Sequence, residues 1–260
     1  MVVRLAVSGI EVEIRPPGGA EDLLLAESAE PDHRLAISLA GAVGRAAGDG
    51  ATIDWERIPE ADLDAVVLHA RSMVFGETVR ATATCPRPDC GARITVAFSV
   101  TDYVRYHRPT RPPGVEPDQR PGWYRLMGSE IRFRVPTAGD VATARRAVDP
   151  AAALAAACIE PSGLHAQSRR RAERALARLS PSLVDEVAGV CPDCGAGITM
   201  WFDPIDYCLR ELRDQAAAIH DDVHVLASTY HWSEEQILAL PRGRRVRYAE
   251  MARDERRLAS

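Results

Sequence analysis

One pattern occurs twice. Residues 88–103 read PDCGARITVAFSVTDY and residues 192–207 read PDCGAGITMWFDPIDY, in the same register from Pro88/Pro192 through Cys90/Cys194 and Phe98/Phe202 to Tyr103/Tyr207. A repeat of this kind signals one structural unit used twice and has to be read before any single element. The parallel extends upstream. VVRLAVSGIEVEIR at 2–15 has two alternating runs around Ser8-Gly9, and WYRLMGSEIRFRV at 123–135 has the same plan around Gly128-Ser129, the pattern of a β-hairpin. Each is followed by proline, a glycine-containing turn and helical sequence. The expected architecture is therefore α+β and internally duplicated, with β-hairpins, helices and a helical C-terminal tail. Its boundaries are a first half at 1–107, a proline-rich connector at 108–122, a second half at 123–207, and a tail at 208–260 with no counterpart in the first half.

Helical spacing fills in this plan. In EADLDAVVLHARSMVF at 60–75, Leu63, Val66, Val67, Ala70 and Val74 share one face and Gly76 is a natural C-cap. VATARRAV, PAAALAAACI and RRRAERALARL read as helices of the second half, and Ser180-Pro181 reads as the start of another, serine capping and proline in the first position. Asp203-Pro204 starts a long helix toward Tyr230. Ser233-Glu234-Glu235-Gln236 is a capping box for a short one, and Pro241 precedes a last arginine-rich helix.

The chemistry-bearing residues are cysteines. Cys85 and Cys90 stand in C-P-R-P-D-C, Cys191 and Cys194 in C-P-D-C, each between a strand-like run (TVRATAT; VDEVAGV) and Gly with a second run. Such turns aim two sulfurs and several backbone N–H groups at one point. Two of them supply four thiolates, the closed tetrahedral set of a structural zinc, one Zn2+ per chain, with no open position for catalysis. A redox C-x-x-C and an iron–sulfur cluster use the same residue type; no βαβ pattern surrounds this one, and its near-copy elsewhere fits redox chemistry poorly. Cys158 and Cys208 lie on helices and read as packed thiols. His220 and His224 have i,i+4 spacing without an H-E-x-x-H pattern, and read as solvated or core-edge residues.

Composition narrows the remaining classes. Six cysteines in 260 residues are no disulfide scaffold, and the length supports a core that needs none. Glu11 and Glu13 interrupt the start where a signal peptide would carry an apolar run, and no apolar stretch reaches membrane-spanning length, so a cytoplasmic, reducing setting is expected. All 32 basic residues are arginine and the net charge is −5. Arginine clusters at 169–171 and 242–257 are interleaved with Glu173, Glu250, Asp254 and Glu255, which argues for solvated faces or an acidic protein partner over nucleic acid. No Walker loop, G-x-G-x-x-G, G-x-S-x-G or kinase signature occurs, so no enzyme activity and no small-molecule substrate are expected.

The run IPEADLDAVVLHARSMVFGETVRATATCPRPDC, an acidic helix ending in aromatic-Gly followed by a strand and a cysteine knuckle, resembles the T4-type baseplate hub and hub-assembly proteins of contractile phage tails. DVHVLASTYHWSEEQILALPRGRRVRYAEM is similar to the C-terminal segment of related proteins of phage-like contractile injection systems, on Tyr230, Trp232, Ser233, Ile237, Leu238, Leu240, Arg244, Arg245 and Tyr248. The resemblance spans residues 55–103 and 185–250. It implies a structural or assembly role among baseplate, hub or tail proteins, with incorporation into a phage-like particle. The set Tyr230, Trp232, Ile237, Leu238, Leu240, Arg244, Arg245 and Tyr248 is accordingly a candidate docking surface, though its apolar members are equally suited to packing on the chain's own helix at 204–230. The competing functional class is a zinc-ribbon adaptor that binds nucleic acid or a transcription complex.

Overall fold

A computed structural model describes residues 1–259 and is a mixed helix-and-sheet structure. Alternation in the first run builds β1 (Val2–Arg4) antiparallel to β2 (Glu11–Ile14), which points Val12 and Ile14 into the core. The six-residue loop between them, 5–10, is closed by Leu5 N–H to the Ile10 carbonyl at 2.8 Å, with Gly9 at φ +74°. Two helices follow, α1 (Gly19–Glu27) and α2 (His33–Val43), and then β3 (Gly44–Ala46), which pairs antiparallel on the other side of β2. Helix α3 (Glu60–Phe75) keeps the sequence-based bounds and ends at Gly76, φ +84°. It is buried all round: Leu63, Val66, Val67 and Ala70 are covered as the spacing predicts, and so are Asp62, Asp64, His69 and Arg71. Next come the hairpin β4 (Thr78–Thr84) and β5 (Arg93–Ser99), and α4 (Val100–Tyr106).

The second half runs through the same succession. After β6 (Val115–Pro117) come the hairpin β7 (Trp123–Leu126) and β8 (Arg132–Arg134), helices α5 (Ala138–Ala144) and α6 (Pro150–Cys158), and β9 (Ile159–Glu160) pairing antiparallel on β8. Helix α7 (Ala166–Leu179), the hairpin β10 (Asp185–Val190) and β11 (Gly197–Phe202), and α8 (Pro204–Ala216) complete it. Hairpin, two helices, strand, helix, hairpin, helix is thus the order from β1 to α4 and again from β7 to α8.

Several details depart from the sequence reading. The stretch 108–122 carries β6, which pairs with β7 and puts Val115 into a core. Ser180-Pro181 starts no helix: the Ser180 N–H closes α7 on the Leu176 carbonyl, and the following residues run extended to β10, with the Ser182 hydroxyl receiving the Val184 N–H at 3.0 Å. The helix expected from 204 to 230 is two, α8 and α9 (Ile219–Tyr230), broken at Ala217-Ala218. The tail ends in α10 (Glu234–Leu238), begun by the Ser233/Gln236 capping box, and α11 (Arg242–Ala259).

Packing joins the halves. The largest cluster takes Leu25 from α1, Leu39 from α2, Leu63 and Leu68 from α3, and also Ala138 from α5 and Ile205, Leu209 and Leu212 from α8. A second cluster, around Phe133, Ile159 and Ala172, lies under the four-stranded sheet. The tail has its own cluster around Leu226, Ile237 and Ala249. Among the described residues no helix is long and apolar enough to cross a membrane.

Candidate metal centre

Each hairpin that carries two cysteines is a ladder with one covered and one open face. Val79 and Ala81 of β4 and Ile198 and Phe202 of β11 are buried, and the residues between them in sequence are exposed or half-buried. The covered faces meet: Phe98 and Phe202 pack edge-on with ring centres 5.0 Å apart, and the Tyr103 hydroxyl, beside both rings, donates to the Leu183 carbonyl at 2.6 Å. At the tip each chain turns back in the same way. Cys85 N–H bonds the Ala92 carbonyl at 2.9 Å and Cys191 N–H bonds the Ala196 carbonyl at 2.8 Å. Gly91 and Gly195, at φ +56° and +71°, take the left-handed conformation that lets each chain reverse past its second cysteine.

These turns bring four sulfurs from two distant segments to one place. The Sγ atoms of Cys85, Cys90, Cys191 and Cys194 all lie within 4.8 Å of one another. The contacts that cross between the knuckles are Cys85 to Cys194 at 3.6 Å, residues 109 apart in sequence, and Cys90 to Cys191 at 3.8 Å, residues 101 apart. A tetrahedron with metal–sulfur bonds of about 2.3 Å has edges of about 3.8 Å. The two contacts between the knuckles thus already have the length of such an edge, and lie far outside disulfide bonding distance. Cys85 and Cys191 are buried and Cys90 and Cys194 half-buried, in a small cluster with Ile198, Ile94 and Ala83.

Electrostatics points the same way. Backbone N–H groups of Cys194 and Asp193 aimed at the Cys191 sulfur hold its thiol down at about 7. The Arg87 N–H pulls the Cys85 thiol down too, but burial and the three neighbouring sulfurs outweigh it and push it up to about 12. Four crowded thiols cannot all ionise unless a cation shares their charge. The donor set, its spacing and its closed geometry are compatible with a metal ion, and offer it no free position for a substrate.

The other sequence-selected residues lie elsewhere. Cys158 and Cys208 are buried in the second and the main core, where burial raises both thiols, Cys158 to about 11. His220 and His224 are exposed, His220 standing 3.8 Å from Glu27. In the tail, Ile237 is wholly buried, and in the same cluster the Trp232 ring packs against both Tyr230 and Tyr248. Ile237 therefore fills the chain's own core and is out of a partner's reach. Arg245 is buried too, ion-paired to Asp22 and 3.8 Å from Asp222, while Arg242 also pairs with Asp22 and Arg253 with Asp222 at 2.7 Å. Leu238 and Leu240 remain half-buried and line an open cleft with Met73, Val74 and Pro17, and Arg244 is exposed. Nothing in the sequence pairs Asp22 with arginines 220 and 223 residues away; only the fold brings them together.

A family model described as T4 bacteriophage base plate protein matches residues 3–161. No curated protein and no solved structure matches the chain.

Proposed function

Because the chain belongs to the T4 bacteriophage base plate protein family, we propose that it is a non-enzymatic structural or assembly component of the baseplate hub of a contractile, phage-tail-like injection particle, held together by one structural zinc. The family match carries the baseplate part of this reading. The four sulfurs gathered from two segments carry the zinc, and Cys85, Cys90, Cys191 and Cys194 are its ligands. In this reading the repeated succession of elements is an internal duplication, with the metal at the junction of the two copies and the tail as the later addition. Its partners are other hub, baseplate or tail proteins, met through surfaces and not through a substrate pocket.

Two experiments test it. Deleting the gene in a producing strain should leave cells without complete contractile particles by electron microscopy; complete, functional particles would sink the baseplate reading. Elemental analysis of the purified chain should give one zinc per chain, lost in Cys85→Ser or Cys194→Ser together with stability. A metal-free chain of undiminished stability removes the staple. The adaptor reading has one observation in its favour, the exposed arginines 170, 171 and 174 on one side of α7. Salt-dependent binding to DNA or RNA is the measurement that would promote it.

A further inference from the structure

The two cysteine hairpins are alike on the faces they turn toward each other and unlike on the faces they turn away. Inward, Phe98 corresponds to Phe202 and Ile94 to Ile198, and Gly189 stands where a Cβ would lie 3.9 Å from the Val96 side chain, so the hairpins pack face to face. Outward, Arg80 stands where the second hairpin has Glu186, Thr82 where it has Ala188, and Thr84 where it has Val190. On the return strands, Arg93 corresponds to Gly197 and Ala97 to Trp201. One outward face is therefore polar and basic and the other apolar and acidic. Trp201 is 66% and Val190 69% exposed, on strands whose own packing needs neither.

A two-stranded ladder alternates its side chains, so these two faces lie on opposite sides of one small sandwich. Opposite sides and opposite chemistry are what a heterologous contact between identical copies requires, in which one patch meets a different patch of the next molecule. From Asp185 to Phe202 the second hairpin carries Asp185, Glu186 and Asp193 and no base; from Thr78 to Ser99 the first carries Arg80, Arg87 and Arg93 against Asp89. Arginine forks on one copy would meet Glu186 on the next, and the indole of Trp201 would lie over the threonines Thr82 and Thr95, with Arg93 within reach of its ring.

We propose that this chain self-associates head to tail, the outward face of its second cysteine hairpin docking on the outward face of the first cysteine hairpin of another copy. Each face is about six residues, or ~20 Å, long and two strands wide, smaller than the ~800 Å² per partner of a standard interface. A single contact is therefore weak, and strength comes from many copies joined in a ring or stack. The inference rests on the hairpin faces alone, and stands or falls separately from the baseplate reading.

Sedimentation velocity on the metal-loaded full chain over ~10–500 µM tests it. The wild type should shift to larger species with concentration, and less so at high salt. Trp201→Arg should weaken association about tenfold or more, as should the double variant Arg80→Glu with Arg93→Glu. Each alone should be monomeric, whereas an equimolar mixture should form a one-to-one dimer and nothing larger, since each supplies the face the other lacks. Ala188→Arg repeats the Trp201 test at a second exposed position should that variant fold poorly. A wild type monomeric throughout, unchanged association in Trp201→Arg, or a dimer formed by the Arg80/Arg93 variant on its own would overturn the proposal.

Discussion

Two helix carboxylates carry opposite pH signatures because their surroundings differ. Asp64 is buried on α3 with one oxygen unpartnered; burial first, then the neighbouring charges of Glu60 and Asp203, outweigh Arg145 and hold its carboxyl well above the usual range. Asp140 is also partly desolvated, but hydrogen bonds from Arg134 and from the Thr137 N–H and hydroxyl win, and its carboxyl is held low. With a raised folded value, Asp64 favours the fold in its protonated form, and that contribution fades as the pH climbs above 3.8 toward the raised value. With a lowered one, Asp140 stabilises above 3.8 and loses its contribution as the pH falls through the depressed value. Asp64→Asn is therefore expected to raise the urea midpoint at neutral pH and to have little effect in acid. Asp140→Asn, which breaks the capping box of α5, should lower stability by about 1 kcal/mol at neutral pH and converge on the wild type in acid. Urea titrations at several pH values distinguish these signs, and parallel curves for either variant contradict the assignment.

At the scale of elements, the helix ends written in local chemistry were the legible ones. Gly76 ends α3 where its lack of a Cβ allows φ +84°, and Ser233 with Gln236 starts α10 through reciprocal side-chain bonds. What could not be read was imposed from far away. No breaker residue interrupts QAAAIHDD, yet the helix divides at Ala217-Ala218, because Leu209 and Leu212 face the main core and Val225 and Leu226 face the tail's, and one straight helix cannot serve both. Strands β3, β6 and β9 are two or three residues long, too short for alternation to show, and exist by pairing with β2, β7 and β8. The four cysteines were readable as one site because their spacing and repeat are local; the ion-paired Asp22 was not, its partners lying in α11. The end of α9 offers a test of this local chemistry. His231 takes the left-handed conformation, φ +56°, a place that favours glycine, and its side chain is exposed. His231→Gly should raise stability by about 0.5–1 kcal/mol, seen as a higher thermal midpoint. A lower midpoint would mean that the imidazole makes a contribution exceeding the backbone strain.

Across the whole molecule, the position of the four sulfurs decides what a cation held by them would stabilise. Small zinc domains unfold without metal because the site substitutes for a core. Here the core clusters are assembled elsewhere: Leu39, Leu63 and Leu68 pack with Leu209 and Leu212 regardless of the knuckles, and Phe98, Tyr103 and Phe202 hold the bases of the two hairpins together. The tips have less to hold them. Beyond Val96 and Gly189 the inward residues are Ile198, Ile94 and Ala83 with the cysteines, a cluster of few apolar side chains that a bound cation would complete. Removing the metal with a strong chelator is therefore expected to free the tips and leave the body folded. Amide hydrogen exchange should quicken tenfold or more within 78–99 and 185–202, the part of each hairpin nearest its cysteines responding most, while amides of α3 stay protected. The thermal midpoint should fall by several degrees without loss of helical circular dichroism, and Cys90→Ser should reproduce the pattern with no chelator present. Exchange that quickens evenly through α3 and α8 would mean that the halves depend on the metal for their common core; no change at the tips would mean that the sulfurs hold no cation.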